Sequence, residues 1–135
     1  MHRPHPKLLD LLSTYEPRIG RLALALRKMV LEEAPTATEE IWGVWNGVAL
    51  SFSYSRRPKK GFLHVVSYSG HVELNSIMQL PAICVSGPAD LKRPELRSAI
   101  RLAIQHAPRV PARQSSENQV IIRMRKGKKR RPREQ

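Results

Sequence analysis

From residue 48 to residue 55, larger apolar and small residues alternate strictly. Val48, Leu50, Phe52 and Tyr54 occupy one set of positions, and Ala49, Ser51, Ser53 and Ser55 the other. An extended chain turns successive side chains to opposite faces, so this segment reads as a strand with one buried face. Ahead of it, Trp42-Gly43-Val44-Trp45 leads into Asn46-Gly47, a dipeptide suited to tight hairpin turns. A lone hairpin is marginal in water, so such a strand needs further strands and a covering layer.

The chain supplies both. Residues 62–68 form a second β stretch after the charged turn Arg56-Arg57-Pro58-Lys59-Lys60-Gly61. Ser69-Gly70 turns the chain into residues 71–74, and residues 82–85 read as a further short strand. Residues 7–12 look helical. Ser13 and Glu16 have capping-box spacing, and Pro17 suits a first helical turn. Ile19, Leu22, Leu26, Met29 and Val30 then recur at helical spacing, with Arg18, Arg21, Arg27 and Lys28 assigned to the surface. Pro35 ends this helix, and Glu32 and Glu33 in its last turn oppose the helix dipole. Asp90 reads as a cap and Pro94 as a first-turn residue of a second helix, whose apolar side is Leu96, Ala99, Ile100, Ala103, Ile104 and Ala107. Strands run together between helices imply an α+β fold: an antiparallel sheet of four or five strands with an N-terminal and a C-terminal helix packed on one face. The expected division is an N-terminal extension (1–6), the α+β domain (7–107), a linker (108–118), and an edge strand with a basic tail (119–135).

Charge is the clearest pointer to a partner. The net charge is +13, and eight of the eleven residues 123–133 are Lys or Arg: Arg123, Arg125, Lys126, Lys128, Lys129, Arg130, Arg131 and Arg133. Charge of this density attracts a polyanion such as nucleic acid. No aromatic residue interleaves the run, so it would bind without sequence preference. A solvated, disordered extension is the competing explanation. Arg93, Arg97 and Arg101 are four apart and make one stripe on a helix, either solvated or contacting phosphate. The chain has one cysteine, no signal-peptide pattern and no apolar span long enough for a membrane, and is expected to be cytoplasmic without membrane insertion.

Other constellations are weaker. His71 and Glu73 share a strand face by period two, with His64 within reach across a turn, a donor set that suits a transition metal. Ordinary sheet-surface polar residues are the commoner explanation. Cys84, between Ile83 and Val85, reads as a buried core cysteine. Trp42 and Trp45 read as core or as the wall of a hydrophobic ligand groove. No nucleophile elbow or phosphate-cradling glycine loop is present, and a non-enzymatic domain is expected.

Pro17, Leu22, Leu26 and Arg27 ahead of Ala34-Pro35, then Glu39-Glu40-Ile41, Trp42-Gly43, His64-Val65, Gly70, Ala89-Asp90-Leu91 and Pro94-Glu95-Leu96 occur in an order that resembles the YdhG-like family of small bacterial domains. The resemblance spans residues 7–107 and implies a frataxin-like sandwich; the basic tail is no part of it. It also implies an alternative role as an iron or small-ligand chaperone. Surface carboxylates would serve there, because hard cations prefer oxygen. Glu32, Glu33, Glu39 and Glu40 are the dense acids, read as one acidic edge.

Overall fold

The computed structural model describes residues 3–44, 47–54, 61–76, 79–108 and 120–124. Two helices, α1 (Pro6–Leu12) and α2 (Pro17–Glu33), precede five strands: β1 (Thr38–Val44), β2 (Gly47–Ser53), β3 (Leu63–Ser67), β4 (Val72–Ser76) and β5 (Gln79–Val85). A 3₁₀ turn (Pro88–Lys92), helix α3 (Pro94–Gln105) and strand β6 (Val120–Met124) complete the order. The class is α+β. The sheet has six strands rather than four or five, in the order β5-β4-β3-β2-β1-β6. It is mixed rather than antiparallel, because β6 pairs parallel to β1. Each of β2 to β5 pairs antiparallel with the strand before it, whereas β6 follows α3 in the chain, and a parallel neighbour needs a long connection of that kind.

Pairing fixes which residues share a face. Ile41, Leu50, Val65, Leu74 and Ile83 form one row across five strands. All five are buried, together with Phe52, Leu63, Val72 and Val85. Helices α2 and α3 pack on this face. Ile19, Leu22, Ala23, Leu26, Val30 and Leu31 of α2 and Leu96, Ala99, Ile100 and Ala103 of α3 fill the layer between. The opposite face carries no helix among the described residues. Its rows are Ile121, Glu40, Ser51, His64 and Asn75, and Arg123, Trp42, Ala49, Val66, Glu73 and Cys84.

Local signals were met unevenly. Pro17 does open α2, but Glu16 is the N-cap and makes no side-chain cap bond. Ser13 instead closes α1, its hydroxyl donating to the Asp10 carbonyl at 2.6 Å. Asp90 sits inside the 3₁₀ turn and accepts from the Ser86 amide at 2.9 Å, so it braces the approach to α3 rather than capping it. Gly61 lies against β2 so closely that a Cβ there would stand 2.2 Å from Ser51 Oγ and 2.8 Å from the Phe52 carbonyl oxygen. The Phe62 amide donates to that carbonyl at 2.7 Å, which seats the chain at the start of β3.

Candidate functional site

The four glutamates of the expected acidic edge do not form one. Glu39 and Glu40 are consecutive in β1, so the pleat sends them to opposite faces. Glu39 points among the helices. Arg27 meets it there through two bonds, Nε to Oε2 at 2.7 Å and a terminal nitrogen to Oε1 at 3.0 Å. Both side chains are no more than 5% exposed. Arg27, assigned to the surface by its charge, is buried because it belongs to the apolar stripe of α2: positions 19, 22, 23, 26, 27 and 30 share one side. A third donor contact, to the Arg3 carbonyl at 3.3 Å, helps satisfy the guanidinium. Glu40 emerges on the helix-free face and accepts a hydrogen bond from Arg123 Nε of β6. The Arg123 guanidinium also stands 5.9 Å from the Trp42 ring centroid, a cation–π contact.

Glu32 and Glu33 meet the helical arginine stripe. Arg97 donates to Glu33 at 2.9 Å and to Glu32 at 3.2 Å, and Arg101 donates twice to Glu33 at 3.1 Å. These bonds hold the Glu33 carboxyl below its ordinary range, with Arg101 the larger cause and Arg97 the next. The same contacts push Arg97 above its ordinary value, and they offset the unfavourable placement of acids at the end of α2. Arg93 is held apart from this pair, by Asp90 at 3.7 Å and Glu95 at 3.0 Å. The expected basic stripe and the expected acidic edge therefore neutralise one another.

This pattern is general. Each of the nine carboxylates among the described residues has a lysine, arginine or histidine within 4.0 Å: Asp10, Glu16, Glu32, Glu33, Glu39, Glu40, Glu73, Asp90 and Glu95. An iron ion at Glu32, Glu33, Glu39 and Glu40 would have to displace arginines from all four.

Two polar groupings occupy the helix-free face. His64 lies in the row of Glu40 and Ser51, and burial pushes its imidazole below the ordinary value while the charge of Glu40 partly opposes that shift. The grouping expected for His71 and Glu73 forms with a different third member. His71 Nε2 is 3.1 Å from Glu73 Oε2. Cys84, directly opposite Glu73 on β5, brings Sγ to 3.9 Å from the same oxygen. His64 pairs with Asn75 in the neighbouring row instead. Cys84 is exposed, not buried. Ile83 and Val85 both face the core, so the residue between them must face away. Period two at residues 83–85 carries that information, whereas apolar flanks alone suggest burial.

Trp42 is half-buried on the helix-free face beside Arg123. Trp45 lies outside the described residues, as do Arg56, Arg57, Lys59 and Lys60, and Arg125, Lys126, Lys128, Lys129, Arg130, Arg131 and Arg133. Among the described residues no helix is long and apolar enough to cross a membrane.

No family model matches this chain, and no curated protein and no solved structure matches it. The likeness to the YdhG-like domains stands on the sequence motifs alone.

Proposed function

We propose that this chain is a non-enzymatic α+β domain that binds nucleic acid, or a polyanion of similar charge density, through the basic segment that follows β6. The observation that carries this reading is the charge pairing of the body. Residues 125–135 hold seven Lys/Arg and one acid, Glu134. Eight of the nine described carboxylates are already paired with lysine or arginine nearer to hand, and Glu73 is paired with His71. Of the eleven acids in the sequence, only Glu117 and Glu134 remain. Neutralising the segment from within would break existing pairs, so its compensating charge comes from outside. Arg123 is committed to Glu40 and Trp42, which takes it out of the run.

The recognition expected is electrostatic and independent of base sequence, because phosphates are contacted and bases are not read. Binding releases counterions. With six to seven phosphates neutralised, log K falls against log salt with a slope of about −5 to −6 on duplex DNA. Fluorescence anisotropy on two unrelated duplexes, titrated from low to physiological salt, tests this. Equal affinities with that slope support the reading; an affinity insensitive to salt contradicts it. A frataxin-like iron role through the four glutamates is not favoured, because each already pairs with an arginine.

A further inference from the structure

We propose that His71, Glu73 and Cys84 form a binding site for a single transition-metal ion of the zinc class, on the helix-free face of the sheet. The site belongs to the body of the molecule and is independent of the C-terminal basic segment. Its three donor atoms, Nε2, a carboxylate oxygen and Sγ, all lie within 4.8 Å of one another. In a tetrahedral zinc site with ordinary bond lengths, nitrogen and oxygen ligands stand about 3.4 Å apart, and sulfur stands about 3.6 Å from either. The observed separations of 3.1 Å for His71 to Glu73 and 3.9 Å for Cys84 to Glu73 differ from those values by a few tenths of an ångström. The third separation, His71 to Cys84, lies within 4.8 Å, and rotation of the exposed Cys84 side chain with the partly exposed His71 and Glu73 brings the three donors to one ion.

Three backbone features place the donors. His71 and Glu73 are two apart at the entry to β4 and so share a face. Glu73 and Cys84 are cross-strand partners of β4 and β5. The turn before His71 is closed by the Tyr68 amide, which donates to the His71 carbonyl at 2.9 Å. Tyr68 also stacks on the imidazole, with ring centroids 5.0 Å apart and planes 21° from parallel. The stacking restrains the plane of the ring whose Nε2 meets Glu73.

The donor chemistry selects the metal class. A thiolate, a neutral imidazole and a carboxylate together carry two negative charges and match a divalent ion. Sulfur and nitrogen disfavour magnesium and calcium, which prefer all-oxygen sets. Binding converts the Cys84 thiol to a metal-bound thiolate and passes one proton to solvent. Arg93 donates to the Cys84 carbonyl at 3.4 Å and is itself engaged by Asp90 and Glu95. Three protein ligands leave the fourth tetrahedral position to water or to another small ligand.

Titration of the untagged full-length chain with Co²⁺, and then with Zn²⁺ as competitor, tests the site. The expected result is one ion per chain, with thiolate-to-cobalt charge-transfer absorption and the intense visible bands of tetrahedral cobalt, both removed by stoichiometric zinc. Cys84→Ser removes the charge-transfer absorption. His71→Ala and Glu73→Gln each weaken zinc binding by at least about tenfold, since the loss of even an outer-shell partner costs that much. His64→Gln, in the neighbouring row, leaves affinity unchanged. Circular dichroism of each variant without metal separates loss of ligand from loss of fold. A cobalt complex without thiolate absorption, or equal zinc affinity in a folded Cys84→Ser chain, overturns the proposal.

Discussion

Glu39 and Glu40 are neighbours in sequence and end on opposite faces of one sheet. Glu39 is sealed beneath the helices against Arg27, both side chains nearly inaccessible. Glu40, itself only 6% exposed, faces the side without helices and holds Arg123, which is 47% exposed. The same contrast runs along the other strands. Toward the helices stand Leu50, Val65, Leu74 and Ile83; away from them stand His64, Glu73 and Cys84. The helix-covered face carries the stability of the fold. On the helix-free face Glu40 is also buried, but His71 and Glu73 are partly exposed and Cys84 is exposed, so these three lie within reach of solvent and of one another, where chemistry can occur.

Breaking the buried pair should give the largest effect. Arg27→Ala leaves the Glu39 carboxylate buried without a partner, which costs about 3–5 kcal/mol, whereas replacing both partners with apolar residues of similar volume recovers most of that loss. Denaturant midpoints of Arg27→Ala and of the double variant Arg27→Met/Glu39→Leu measure the difference. Equal loss in both would mean that the pair is needed for more than mutual neutralisation. Next in size is a cavity on the covered face. Leu74→Ala removes a fully buried side chain and should cost about 2–5 kcal/mol. Cys84→Ala, on the facing strand but turned outward, should stay within about 0.5 kcal/mol. If the two costs were alike, the assignment of faces would fail.

The smallest effect is a pH dependence of the helix-free face. The folded His64 has a lowered pKa, caused mainly by burial, so below its unfolded value of 6.5 the unfolded chain binds more protons than the folded one. Its contribution is complete above that value and is lost as pH falls toward the folded pKa. The acids held low in the fold, Glu33, Asp90 and Glu95, act further down, below the ordinary carboxylate range. Stability measured from pH 7 down to about pH 5 should therefore decline less steeply in His64→Gln than in the parent chain. A parallel decline in the two would contradict the burial of His64.

Much of the architecture was legible in the sequence, because period two and period 3.6 are local. The alternation from Val48 onward, the hairpin signals and the stop at Pro35 mark β2, its neighbours and the end of α2. What stayed hidden depends on contacts between distant segments. Nothing local to residues 120–124 tells that β6 lies beside β1, or that it runs parallel. The match of Glu32 and Glu33 with Arg97 and Arg101 joins residues more than sixty positions apart, so two opposed charge stripes looked like two separate binding surfaces. Arg27 and Cys84 were misplaced for another reason. Charge suggests a surface site for Arg27 and apolar flanks a buried one for Cys84, whereas helical spacing places Arg27 on the buried stripe and strand alternation turns Cys84 outward.

The pairing of β6 with β1 decides where the basic segment can be removed. A cut after Asn118 would delete β6 together with the Arg123 partner of Glu40, mixing a folding defect with any loss of binding. A cut after Met124 keeps all six strands and removes only residues 125–135. The most direct test of the proposed division between a charge-paired body and an anion-binding segment is duplex DNA affinity at low salt, full-length chain against the chain ending at Met124, with thermal unfolding of both recorded alongside. The account predicts unchanged unfolding and loss of DNA binding in the shortened chain. Undiminished binding by a folded chain ending at Met124 would contradict it.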